Sequence, residues 1–212
     1  MRNTRTSMAR RTALVAATVT AGLVLAACGG SSDSGSGGHD GHASGSSSSS
    51  PSSSTAAHNA QDVSFAQGMI PHHQQALEMA KLAAGRASSA KVKDLAARIE
   101  KAQDPEIRTM SGWLKSWGQS VPSAMPGMDH SAHSGMAGMM GTKDMDKLEK
   151  ASGAEFDTMF LTMMIEHHKG AVQMAGTEKS KGAYAPATSM ADDIITGQTA
   201  EITEMTKLLG KS

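Results

Sequence analysis

The sequence predicts an all-α protein, a four-helix bundle made of two repeated helical hairpins. Three observations carry this expectation. Aromatic residues are only 3% of the 212 residues while methionine occurs 17 times. Leu, Ile, Ala and Met must therefore fill the core, which suits helices better than strands. Residues 65–80, FAQGMIPHHQQALEMA, return at 160–175 as FLTMMIEHHKGAVQMA, an offset of 95. Within each copy the shared residues fall at helical spacing.

The chain opens on Arg2, Arg5, Arg10 and Arg11, followed by an apolar run from Ala13 to Ala27. Residues 1–27 have the charge and length of a secretory signal peptide. The run is short for a membrane span. Its ending, Leu25-Ala26-Ala27-Cys28, resembles a bacterial lipobox, which implies cleavage before Cys28 and lipid on its thiol. Cys28 is the single cysteine, so an intramolecular disulfide and a four-thiolate zinc site are both excluded. Residues 28–59 are mostly Ser and Gly and read as a disordered tether. His39, His42 and His58 in or beside it read as solvated. With 20 basic and 20 acidic residues there is no basic footprint for nucleic acid.

The bundle is expected over 60–212, with repeat one at 60–118, a Met/His-rich connection at 119–153 and repeat two at 154–212. At the same offset Asp62, Phe65, Met69, Ile70, His72, His73, Ala76 and Met79 match Asp157, Phe160, Met164, Ile165, His167, His168, Ala171 and Met174. Ile99, Gln103, Glu106, Met110 and Leu114 likewise match Ile194, Gln198, Glu201, Met205 and Leu209. An ungapped match over about fifty residues is an internal duplication.

At about 100° per residue, Asp62, Phe65, His72, His73, Ala76, Met79, Ala80 and Ala83 share one helix face with Met69. Ile99, Gln103, Glu106 and Met110 share a face of a second helix. Gly85 with Ser88-Ser89, and Gly182 with Pro186, supply the stop and start signals. Two hairpins then bury each other's stripes as a four-helix bundle. Pro71 should kink the first helix and free the carbonyl of Gln67. Pro105 allows either a kinked helix or a new one capped by Asp104. Asp144 to Ala151 can form a short extra helix.

The connection contains Met125, Met128, His130, His133, Met136, Met139 and Met140. Thioether sulfur and imidazole suit copper, the thioether favouring the cuprous state. A hydrophobic flap lying on the domain is the alternative. On the bundle face, each repeat turns inward an Asp, two His, a Gln and a Glu among Met and Ala. Burying such groups without partners costs roughly 2–7 kcal/mol each, so they satisfy one another or hold an ion. Adjacent histidines differ by about 100° around a helix, so one of each pair should face the axis and the other a groove or solvent. Met69 lies three residues before His72 and four before His73, and Met164 stands likewise to His167 and His168.

MIPHHQQALEMA and MIEHHKGAVQMA, with the later QDPEI and QTAEI, resemble the family catalogued as domain of unknown function 305, of the CopM-like type. The resemblance covers about residues 60–212. It implies a ferritin-like four-helix bundle, exported to the cell envelope, binding copper through Met and His. By position it places His72, His73, His167, His168, Met69, Met79, Met164 and Met174 in the metal-binding set. Members carry Pro before the second HH, where this chain has Glu166. Asp62, Asp157, Glu106 and Glu201 are further candidate ligands, as are the Met and His of the connection.

The expected function is a lipid-anchored extracytoplasmic protein that binds Cu(I) or Cu(II) for sequestration, buffering or resistance, not an enzyme. Its expected partners are the membrane, through Cys28, and copper-exporting or copper-receiving envelope proteins. Two alternatives stay open: a ferritin-like di-metal oxidase, and a structural or interaction bundle without metal. The oxidase chemistry uses Glu-x-x-His pairs, whereas Met69, Ile70, Met164 and Ile165 stand three residues before the four histidines.

Overall fold

A computed structural model describes residues 57–123 and 136–210. Cys28, the signal and most of the tether lie outside the described residues, as do Met125, Met128, His130 and His133. Among the described residues the structure is all-helical, with five helices and no strand. These are α1 Ala60–Arg86, α2 Ala90–Ser116, α3 Thr142–Lys150, α4 Gly153–Lys181 and α5 Ala185–Leu209. None of them is long and apolar enough to cross a membrane.

The helix α1 starts at a capping box. Asn59 Oδ1 accepts from the backbone of Gln61 and Asp62 at 2.8 and 3.1 Å, and Asp62 Oδ2 accepts from Asn59 N at 2.6 Å. This satisfies donors that the helix leaves open. α1 then runs unbroken through Pro71, and α2 through Pro105. A separate helix beginning at Asp104 does not form; the Asp104 carboxylate pairs with Arg108 one turn on instead. Pro186 sits in the first turn of α5, where a missing N–H costs nothing.

Helices α1 and α2 pack against each other, as do α4 and α5, and α1 packs on α4. Residues 87–89 and 182–184 join each pair. The short α3 touches α1 and α4. The apolar interior is divided in two. One cluster holds Ala76, Met79, Ala83, Leu95, Ile99, Phe156, Phe160, Met164 and Met205. The other holds Phe65, Met69, Ile70, Met110, Leu114, Ala175, Ala191 and Ile194. On every long helix the boundary between them is polar: His72, His73 and Gln75 on α1, Gln103 and Glu106 on α2, His167 and His168 on α4, Gln198 and Glu201 on α5.

The ends of the pairs are stitched across the duplication. Asp62, from repeat one, accepts from Ala183 N and Tyr184 N at 3.1 and 3.0 Å, ahead of α5. Asp157, its partner in repeat two, accepts from Ser88 N, Ser89 N and the Ser88 hydroxyl, ahead of α2. Neither Ser89 nor Tyr184, the N-cap residues of α2 and α5, makes a side-chain cap bond of its own. Each repeat therefore supplies the anion that caps the second helix of the other. Tyr184 also lies edge-on to Trp113 and Trp117 of α2, at 5.5 and 5.2 Å between centroids. These contacts run α1 antiparallel to α4.

Replacing Asp157 by Ala removes three accepted hydrogen bonds. The expected loss is about 1–3 kcal/mol of unfolding free energy. It should appear as a lower urea midpoint at unchanged slope, with Trp fluorescence as the probe. An unchanged midpoint would show that the crossed cap is not holding α2.

Candidate metal centre

The register of the two pairs brings the four histidines into one buried layer. His72 and His167, repeat partners on α1 and α4, stack at 3.8 Å between ring centroids, tilted by 41°. His73 and His168 turn the other way, each to the second helix of its own pair. His73 Nε2 lies 2.7 Å from Glu106 Oε2, and His168 Nε2 lies 2.7 Å from Glu201 Oε2. The expected division of each HH pair between seam and groove is realised, but none of the four rings is solvent-facing; all are 1% exposed or less.

A strap of chain at 136–140 closes over this seam. His72 Nε2 donates to the Ala137 carbonyl at 3.2 Å. Gln75 clamps Met140 in both directions, its amide donating to Met140 O at 2.8 Å and its carbonyl accepting from Met140 N at 2.7 Å. Gly138 takes φ +81°, a backbone region that favours glycine. A Cβ there would lie 2.7 Å from Glu166 O and 2.8 Å from His167 O. A Cβ on Gly170 would lie 1.9 Å from Ala137 O. Gln75 and Gly170 are repeat partners at the 95-residue offset, so one copy grips the strap and the other makes room for it.

Because a carbonyl only accepts, the contact with Ala137 puts the proton of neutral His72 on Nε2 and the lone pair on Nδ1. Burial, with His73 nearby, lowers the His72 pKa to about 3. Burial, with His72 and His168 nearby, lowers that of His167 well below its ordinary value. Both rings are therefore neutral, the form that binds metals. Five ring nitrogens have no hydrogen-bond partner: Nδ1 of His72, His73 and His168, and both nitrogens of His167. Buried polar atoms are rarely left so. Glu106 and Glu201 stand behind His73 and His168 and hold the two imidazole rings in orientation.

Nitrogen and oxygen donors alone do not complete a site. Among the described residues no three His, Cys, Asp or Glu side chains converge as a metal-holding group. Sulfur stands close by. A Cβ on Gly68, one turn before His72, would lie 3.7 Å from Met136 Sδ and 3.8 Å from Met174 Sδ. A mixed donor set of imidazole and thioether fits copper.

The other sequence candidates fall elsewhere. Met69, Met79 and Met164 are fully buried in the two apolar clusters flanking the layer. Met139 and Met140 are half-buried on the strap. Asp62 and Asp157 sit ten residues before His72 and His167 on their helices, about 15 Å along the axis. Their oxygens receive the backbone N–H groups described above. Glu106 and Glu201, with Gln103 and Gln198, line a hollow of about 50 Å³ between α2 and α5.

The DUF305 family model, a domain of unknown function, matches residues 62–209. The chain belongs to the DUF305 family. Solved DUF305 structures resemble it across most of their length. One from Streptomyces coelicolor, described as a candidate secreted protein, is 32% identical with TM-score 0.64, covering 71% of this chain and 93% of that one. A DUF305 fragment from Deinococcus radiodurans is 30% identical with TM-score 0.65, covering 73% and 98%. CopM in its Cu(II)-bound form is 37% identical with TM-score 0.61, covering 71% and 96%. CopM has also been solved with Cu(I) and with silver. No curated protein matches the chain.

The sequence reading missed the strap contacts and one acid, Glu178. This carboxyl is fully buried beside Gly182. Burial, then the neighbouring Asp62 carboxylate, raises its pKa to about 7. Its repeat partner is Ala83, so matching the two copies could not flag it.

These shifts oppose one another. His72 and His167 titrate lower in the folded state than their ordinary 6.5. Their contribution is therefore present above that pH and lost on acidification. Glu178 titrates higher than its ordinary 4.5, so its contribution is present below 4.5 and lost as pH rises through about 7. Between these limits unfolding takes up two protons at the histidines and releases one at Glu178. Near pH 5.5 these three groups should give wild type a net uptake of about one proton, and Glu178→Gln about two. Urea midpoints of the metal-free protein between pH 5 and 6 test this. Parallel pH dependences for the two proteins would count against a protonated Glu178.

Proposed function

We propose that this DUF305 protein binds copper in the cell envelope, for sequestration, buffering or resistance. The observation that carries the reading is the His72–His167 contact at the α1–α4 seam, with its partnerless ring nitrogens and the Met136 and Met174 sulfurs one turn away. The forms of CopM solved with Cu(II), Cu(I) and silver support it. In this reading His72, His73, His167 and His168 supply nitrogen, the nearby methionines supply sulfur, and Glu106 and Glu201 hold two of the rings in register. Bound copper supplies a redox-capable centre. The chain's part is to present neutral imidazole and to exclude water.

The two helix pairs are read as the halves of a ferritin-like four-helix bundle. The chain is placed on the extracytoplasmic face of a membrane, tethered by lipid on Cys28 through residues 28–59. Its partners are envelope proteins that export or receive copper. We read it as a binding protein and not an oxidase, because Glu106 and Glu201 each already engage a histidine and the HH helices lack Glu-x-x-His.

Titration of the purified chain with Cu(II), and with Cu(I) under reductant, tests this. The His72→Ala/His167→Ala variant should lose at least tenfold in affinity. Glu106→Gln/Glu201→Gln should weaken copper binding by about 10–100-fold without removing a ligand. If neither the wild type nor the variants hold copper, the polar layer is structural and the reading fails.

A further inference from the structure

A second cluster of thioethers lies outside the histidine seam. Met140 from the strap and Met159 and Met163 from α4 line one open hollow of about 260 Å³, and none of the four histidines lines it. All three methionines are half-buried. Met159 and Met163 are four residues apart, neighbours on one helix face. Met140 is presented from a fixed point, because Gln75 clamps its backbone on both sides.

The polar groups on the rim of the hollow sit in surface ion pairs and a helix hydrogen bond. Asp144 pairs with Lys147 at 3.1 Å, and Glu166 pairs with Lys169 at 2.7 Å. Thr162 donates its hydroxyl to the Thr158 carbonyl at 2.8 Å. Three of the seven lining residues are thioethers, Met140, Met159 and Met163. Thioether sulfur favours a soft monovalent ion over a divalent one. At the 95-residue offset Met159 and Met163 match Ser64 and Gly68. The first repeat therefore lacks these two methionines at the matching positions.

We infer that Met140, Met159 and Met163 form a separate cuprous site, a thioether-bearing pocket beside the strap that takes Cu(I) and not Cu(II). The inference rests on the copper reading above and adds a second, oxidation-state-selective position to it. The site sits where the Met/His-rich connection returns to the helices, so an ion held here is next to the segment that closes the histidine seam.

The probe is Cu(I) under reductant, with Ag(I) as its spectroscopically silent analogue. Met140→Leu/Met159→Leu/Met163→Leu keeps volume and apolarity. It should lose one equivalent of tightly held Cu(I) while its Cu(II) uptake stays at the wild-type value. The His72→Ala/His73→Ala/His167→Ala/His168→Ala variant should retain that equivalent, and at one equivalent its Cu(I) X-ray absorption should show a shell of sulfur alone. This second measurement stands even if the triple variant folds poorly. Wild-type Cu(I) stoichiometry in the triple Leu variant, or a nitrogen-containing shell in the histidine variant, would overturn the inference and leave the copper reading intact. A wild-type chain that binds Cu(II) but no Cu(I) would overturn the inference alone, and one that binds neither would overturn both.

Discussion

Six ionisable side chains cross the middle of an otherwise apolar interior, and the rest of the molecule is arranged around the demand they make. Each buried imidazole forfeits hydration worth roughly 2–7 kcal/mol unless something replaces it. Two of the four recover part of it from Glu106 and Glu201, and His72 recovers part from the Ala137 carbonyl. His167 recovers none from hydrogen bonds. The layer is tolerated because apolar clusters on both sides hold the helices in register. Stability from those clusters thereby keeps unpaired ring nitrogens in place, the condition a preformed ligand set requires.

The strap and the crossed caps fix that register in complementary ways. Asp62 and Asp157 act at opposite ends of the α1–α4 seam, each holding the other repeat's second helix. The strap acts at the middle, where Gln75 and Gly170 receive it on the two sides. A shift of one helix by a single turn would break the cap at its end and pull His72 from Ala137 together. The site's geometry is thus coupled to contacts about 15 Å away along the helices, although none of those contacts touches a histidine.

Most of this plan was legible in the sequence because the duplication printed it twice. Positions shared by the two copies, His72 with His167 or Glu106 with Glu201, are those the layer needs, and comparing the copies isolates them. The same comparison hides whatever the copies do not share. Glu178 matches Ala83, Gly170 matches Gln75, and Met159 and Met163 match Ser64 and Gly68, so none stood out. The prolines do not interrupt the helices that contain them. A proline's lost hydrogen bond is a local term, whereas the helix around Pro71 is held by burial at Phe65 and Met69 before it and at Ala76 and Met79 after it, and no local pattern encodes that. Asp62 and Asp157 were placed on the correct face, but the backbone groups they meet lie 121 and 68 residues away, beyond any periodicity.

The crossed caps carry an evolutionary consequence. A chain of one repeat could not have capped its own second helix, because the aspartate of each repeat reaches only the turn of the other. A lone hairpin of this kind would need a second copy of itself to supply the missing aspartate. Two copies in one chain make that contact intramolecular. Duplication also freed the two halves to differ, as they now do at Glu166, Gly170 and Glu178.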